Sequence, residues 1–261
     1  MHIDLGDKVA VITGAGRGIG RDIALSLARE GVHVVACDVN SDDIANVTSE
    51  LAAIDPLSLG YTCDVRDAGR IAELLADAHT ALGRIDILVN NAGVVGDAPI
   101  DELDESTWDV IQDVNVKGTF LMCKAVAPYM KKQRAGRIIN AASFAAISPR
   151  VRSVAYATSK AAVAHFTRGL AGELGPWNIT VNAYAPGMIP TQMNHFAELP
   201  DDKQSELLDT LTLRRWGSTD DIANLICFLA SDQASYITGS LIDVSGGKLA
   251  TQIPSEAYHT D

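Results

Sequence analysis

The chain has 261 residues, a length that suits one large α/β domain or two small ones. Nearly half of it is apolar (47%), which is ample for a core, yet no apolar run approaches the roughly 20 residues that cross a membrane. A formal charge of −12 argues against nucleic acid as a partner, because phosphate binding needs a basic surface.

The opening Met1-His2-Ile3-Asp4 has no basic start followed by an apolar stretch, so the expectation is a cytoplasmic protein without a signal peptide. Residues 8–13 (KVAVIT) read as a buried strand, followed by a glycine-rich turn and a helix through Glu30. Residues 32–38 (VHVVACD) form the second strand, and Ser41 is the expected cap of a helix running towards Ala53. A third strand covers 57–63, and Asp67 opens a helix towards Leu82. Strand four is 85–89 (IDILV), and one long helix is expected over 105–132. Strand five is 136–140 (GRIIN), then come a helix over 154–174 and strand six over 179–184. A helix over 220–230 and a short strand over 241–244 close the pattern.

Strands alternating with helices of ten or more residues predict βαβ units and a parallel sheet, and near-continuous apolar strands fit a sheet covered on both faces. The fold class is therefore a single-domain, Rossmann-type, doubly wound parallel sheet of about seven strands flanked by helices. The domain is expected over 1–247, with an excursion from the core at 188–212 and a polar, loosely packed tail over 248–261. Cys37, Cys63, Cys123 and Cys227 have no paired spacing, and the six histidines (His2, His33, His79, His165, His195 and His259) are too dispersed for a ligand cluster, so neither a disulfide nor a metal site is expected.

Thr13-Gly14-Ala15-Gly16-Arg17-Gly18-Ile19-Gly20 follows the first strand and opens a helix. Glycines there permit a tight turn and let backbone N–H groups approach a pyrophosphate at the helix N-terminus. This is not a literal G-x-G-x-x-G, so its position in the first βα unit carries the weight. Asp38 ends strand two, about 20 residues beyond the turn, where a carboxylate accepts hydrogen bonds from ribose hydroxyls and repels a 2′-phosphate. The cofactor expected is NAD rather than NADP. Arg17 complicates this preference, since a basic residue in the turn could meet a phosphate.

Tyr156 and Lys160 lie four apart, on one helical face. A free phenol has a pKa near ~10, and an adjacent ammonium lowers it towards a useful acid/base. Ser143 follows strand five, at the sheet edge where open α/β folds bind ligands, and its hydroxyl could steady a carbonyl oxygen. Asn90-Asn91-Ala92-Gly93 follows strand four at the same edge, and Asn115 sits in the next helix as an amide that needs a partner.

With these residues in place the chain resembles the short-chain dehydrogenase/reductase family from about Lys8 to Gly247. The turn resembles the family's T-G-x-x-x-G-x-G, with Gly14, Gly18 and Gly20 at its glycines. The resemblance implies that Asp64 and Val65 contact adenine. It further implies that Asn91 and Gly93 lie near the adenosine, and that Pro186, Gly187, Ile189 and Thr191 hold the nicotinamide carboxamide. It also implies the catalytic set Ser143, Tyr156, Lys160 and Asn115. In that set Tyr156 exchanges the proton, Ser143 binds the substrate oxygen, and Lys160 holds the nicotinamide ribose. Asn115 would position Lys160 through a water. Ile237-Thr238-Gly239 falls in the matching closing segment.

The activity expected is NAD-dependent interconversion of a small secondary alcohol and a ketone. The alternative is reduction of 3-oxoacyl thioesters, and the third reading is a non-catalytic module that senses NAD. Substrate choice is expected from 144–155, from 94–99 and from the excursion, where Met188, Met193 and Phe196 are candidate lining residues. Arg150 and Arg152 either bind an anionic substrate or are solvated or meet acidic neighbours. The resemblance implies a homotetramer or dimer using helices near 105–132 and 154–174, with Ala157, Ala161 and Ala164 allowing close approach.

Overall fold

The computed structural model describes residues 3–258 apart from 193 and 195, so Met1, His2, Met193, His195 and His259 lie outside the described residues. Seven strands form one sheet: β1 (Val9–Thr13), β2 (His33–Asp38), β3 (Leu59–Thr62), β4 (Ile87–Asn90), β5 (Gly136–Ala141), β6 (Ile179–Pro186) and β7 (Leu241–Val244). Their order is β3-β2-β1-β4-β5-β6-β7 and every pairing is parallel. The chain runs outward from β1 to β3, then returns to lay β4 beside β1. That reversal opens a crevice at the C-terminal ends of β1 and β4.

The period of two sorts each strand between two cores. Ala10, Ile12, Val34, Ala36, Ile87 and Val89 face helices α1 (Gly18–Arg29), α2 (Ser41–Ala52) and α8 (Thr219–Ala230). Val9, Val11, Val35, Cys37 and Leu88 face α3 (Ala68–Leu82), α5 (Thr119–Gln133) and α6 (Val154–Leu174). All four cysteines are buried, in keeping with their apolar sequence neighbours.

Local chemistry explains most boundaries, and two expectations need correction. Asn40, not Ser41, caps α2: its Oδ1 accepts from the amides of Asp42 and Asp43 at 2.9 and 3.1 Å, and Ser41 is already helical. The helix expected over 105–132 is three pieces: α4 (Glu105–Gln112), a π-helical turn (Asp113–Gly118) and α5. A wide turn of this kind is rare and often marks a functional site. Asp67 caps α3 as expected, and Ser218 with Asp221 forms a reciprocal capping box on α8. After β6 the excursion carries α7 (Asp201–Leu208) and rejoins the core before α8. Most of the described tail is exposed, as its polarity suggests, though Pro254 is buried and residues 254–258 form a 3₁₀ turn. Among the described residues no helix is long and apolar enough to cross a membrane.

Candidate active site

The crevice is built first by the end of β1. Gly14 has φ +62°, a left-handed backbone, and a Cβ there would stand 2.8 Å from the Ala92 Cα, so the turn needs a glycine. A Cβ on Gly20 would collide with the Gly14 carbonyl, which lets α1 start hard against the strand. Gly18 begins α1, so the helix N-terminus faces the crevice. Ile19 leans on the core beneath it.

Thr13 locks the turn to the segment after β4. Its Oγ1 accepts from the amides of Asn91 and Ala92 at 3.1 and 3.0 Å. Asn91 Nδ2 donates to the carbonyls of Thr13 and Gly14 at 3.2 and 3.0 Å, and its Oδ1 accepts from the Tyr184 hydroxyl at 3.0 Å. Tyr184 is wholly buried, and burial pushes its phenol well above the ordinary value. Thr13 is read from sequence only as the start of the glycine turn, and Tyr184 is not read as a site residue at all. A tyrosine near the C-terminal end of a buried strand, where its hydroxyl needs a partner, is the available signal.

At the end of β2, Asp38 Oδ2 accepts from the Gly16 amide and Oδ1 from the Asn40 amide, both at 3.1 Å. Both oxygens retain capacity for further donors, as ribose hydroxyls require. Arg17, the complication for cofactor choice, sends Nη1 to Gln192 Oε1 at 3.3 Å and lies 4.0 Å from Asp43. Asp64 is gripped by Arg66 through Nε and Nη2, which holds its carboxyl below the usual range, while Val65 is buried under Gly118. Pro186 ends β6, Gly187 donates to the Val244 carbonyl at 3.0 Å, Ile189 is buried, and Thr191 stands over Gly18. The excursion thus leaves the sheet over the glycine turn. These groups fit a dinucleotide: a turn with no room for side chains, a helix N-terminus and a carboxylate at the proper strand end.

The second half of the site lies along β5 and α6. Ser143 is buried after β5, and its Oγ accepts from the Ala145 amide at 3.1 Å. Its hydroxyl also lies near enough to the Tyr156 phenol to favour the phenolate. Lys160 is buried on the same face of α6, with Nζ 5.7 Å from the Tyr156 ring centre and donating to the Ala141 carbonyl at 2.8 Å. Burial lowers its pKa to about 8. The lowered phenol expected from sequence is not found. Burial raises Tyr156 above its ordinary value, because a phenolate there loses its water, and the nearby Ser143 hydroxyl opposes the shift.

Asn115 sits in the π-turn, so its side chain points at the segment after β4. Oδ1 accepts from Val94 N at 2.8 Å, and Nδ2 donates to Val94 O at 3.0 Å and Ser159 Oγ at 2.9 Å. Ser159, also missed from sequence, passes the link to the Tyr156 carbonyl at 2.7 Å. A Cβ on Gly93 would lie 3.2 Å from Asn115 Oδ1 and 3.3 Å from Lys160 Nζ, so glycine lets both polar groups approach one point. At the rim, Arg150 pairs with Asp97, an acidic neighbour, and the Arg152 carbonyl accepts from the Ala98 amide at 2.9 Å. A cavity of about 190 Å³ lies elsewhere, between Met188–Ile189, Leu213 and Val244–Gly246, at the roots of the excursion.

Residues 14–248 match the family model described as enoyl-(acyl carrier protein) reductase. The chain is 40% identical over 240 residues to a 3-oxoacyl-(acyl-carrier-protein) reductase, FabG, of Thermotoga maritima, covering 92% of this chain and 97% of that one. It is 39% identical over 242 residues to BbsD of Thauera aromatica, a hydroxy(phenyl)methylsuccinyl-CoA dehydrogenase subunit, covering 93% and 96%. A short-chain type dehydrogenase/reductase from Mycobacterium marinum superposes with a TM-score of 0.88 at 36% identity, covering 95% and 98%. With a glycine turn, a buried lysine and a Ser–Tyr pair along one edge of a seven-stranded parallel sheet, the chain belongs to the short-chain dehydrogenase/reductase family of nicotinamide-dependent oxidoreductases.

Proposed function

We propose that the chain interconverts a secondary alcohol and a ketone with NAD, using Ser143, Tyr156, Lys160 and Asn115. One observation carries the reading: Ser143, Tyr156 and Lys160 share one buried sheet edge, with the Lys160 ammonium 5.7 Å from the Tyr156 ring centre and held by the Ala141 carbonyl. NADH, when bound, would supply the hydride for the carbonyl carbon. Ser143 and Tyr156 donate hydrogen bonds to the carbonyl oxygen, and Tyr156 passes its proton to that oxygen as negative charge develops. Burial keeps the phenol protonated near neutral pH, which suits reduction; alcohol oxidation should quicken as pH rises towards the phenol's raised pKa. Lys160, held by the Ala141 carbonyl, is placed to bind the nicotinamide ribose. Asn115 ties the Val94 segment to α6, which keeps Tyr156 and Lys160 in register.

NAD is favoured by Asp38, and by Arg17 being turned towards Asp43 and Gln192. Gly14, Gly18, Ile19 and Gly20 would cradle the pyrophosphate. Asp64, Val65, Asn91 and Gly93 would flank the adenosine, and Pro186, Gly187, Ile189 and Thr191 the carboxamide. The second reading, a 3-oxoacyl thioester as the ketone, is favoured by the name of the Thermotoga relative.

The domain would span 1–247 in a soluble cytoplasmic enzyme, assembled as a homotetramer or dimer. Exposed Val110, Phe120 and Val154 on α4, α5 and α6 support such an assembly; Ala157 is buried inside the subunit and Ala161 faces out. Sedimentation would count the subunits.

The test is NADH formation across a panel of secondary alcohols, with acetoacetyl-CoA reduction alongside. Tyr156→Phe should lower turnover by about a thousandfold or more while NADH binding persists. Turnover near that of the parent would refute the assigned acid, and no turnover by the parent on any probe would favour the sensing module.

A further inference from the structure

The family match ends at residue 248, and the described chain continues to Tyr258. Those last residues do not run free. The Tyr258 hydroxyl donates to the Thr212 carbonyl at 2.8 Å, and its ring lies 5.9 Å from the Arg214 guanidinium carbon. Just before them, Leu213 N donates to the Gly246 carbonyl at 2.9 Å and Thr212 Oγ1 to the Gly247 carbonyl at 3.0 Å. Lys248 Nζ donates to Thr210 Oγ1 at 2.5 Å. Every one of these contacts falls on residues 210–214, the limb by which the excursion returns to the core.

Arg214 is the hub of that limb. Its backbone is left-handed (φ +45°), a conformation disfavoured for a residue with a Cβ and kept only where the surroundings hold it. Its guanidinium reaches back along the excursion, from Nε to Asp209 Oδ1 at 2.7 Å and from Nη2 to Ser205 Oγ on α7 at 3.3 Å. Two residues on, Trp216 stacks on Phe196 and donates to Gln204 Oε1 at 3.2 Å. Gly217 N then donates to Met188 O at 3.0 Å, which closes the base of the excursion.

We propose that the C-terminal segment is a positioning element for the reaction: Tyr258, acting through Arg214 and Thr212, fixes the returning limb and so sets α7 over the substrate side of the site. The inference rests on the reading above, that substrate meets Ser143 and Tyr156, and on the expectation that the excursion contributes to substrate choice. Among the described residues of the tail, no hydrogen bond reaches Ser143, Tyr156 or Lys160. The expected signature is therefore a change in substrate KM rather than in the chemical step.

The experiment compares the full chain with Tyr258→Ala, Arg214→Ala and the double variant. Hydrogen–deuterium exchange should quicken about fivefold or more in peptides from 201–214 of Tyr258→Ala, with β1 to β4 unchanged. The double variant should exchange less than the product of the two single effects, because the Tyr258–Arg214 contact is lost in both, while the Tyr258 bond to Thr212 is lost only with Tyr258. With acetoacetyl-CoA and NADH, KM should rise about threefold or more while kcat and NADH affinity stay within about twofold. Unaltered exchange in 201–214, additive effects in the double variant, or an unchanged KM would each overturn the proposal. Should the unaltered chain turn over neither acetoacetyl-CoA nor any alcohol, the catalytic reading fails, and exchange alone decides whether the tail holds the limb.

Discussion

Replacing Lys160 by methionine should strengthen the fold at neutral pH while removing turnover. The lysine is 4% exposed, and burial brings its pKa from 10.5 to about 8. At ~1.4 kcal/mol for each tenfold in proton affinity, keeping the charged form in the folded chain costs about 3 kcal/mol. Methionine removes that cost and fills a similar volume, but it forfeits the bond to the Ala141 carbonyl, worth about 1 kcal/mol. The variant should therefore be about 2 kcal/mol more stable at pH 7.

The sign of the pH dependence follows from the lowered pKa. Between pH 8 and 10.5 the unfolded lysine holds its proton and the folded one does not. Parent stability consequently rises with pH across that window, and the variant's advantage should shrink towards zero by about pH 10. Urea unfolding of both proteins at matched concentration, from pH 7 to 10, measures the difference. Curves that stay parallel, or a variant weaker than the parent at pH 7, would refute the reasoning.

Three further outcomes are expected. Asp38→Ala should raise the NADP-to-NAD ratio of kcat/KM by about tenfold or more, since the carboxylate that repels a 2′-phosphate is gone; a parent that already prefers NADPH would contradict the assignment. Gly14→Ala forces a Cβ against Ala92 in a left-handed turn and should lose roughly 2–4 kcal/mol of stability, read from urea midpoints, together with NADH affinity read by fluorescence. Asn115→Ala leaves both Val94 backbone groups and Ser159 short of a partner, so about 3 kcal/mol of stability should go, with kcat falling more than NADH affinity.

Much of the architecture was legible before any coordinate. The β-branched runs of β1, β2, β4, β5 and β6 are dictated by burial on two faces, and that burial leaves a continuous apolar signature. The glycine turn, Asp38, Ser143, Tyr156 and Lys160 were readable because their chemistry is local: spacing on one helix face, or place at a strand end. Boundaries were less legible. Ser41 and Asn40 are both good caps, and only the backbone angle at Asn40 chooses between them.

What the sequence determined by itself is the order of strands and helices and the polar groups delivered to one sheet edge, because periodicity and turn residues act through near neighbours. What the tertiary structure alone decided is how those groups are held and charged. The π-turn aims Asn115 at Val94, Tyr184 reaches from β6 to support Asn91, and the Tyr258 ring lies beside Arg214. The Tyr156 phenol is raised by burial rather than lowered by Lys160. Desolvation and long-range hydrogen bonds depend on what the whole fold packs around a group, and no local pattern records that.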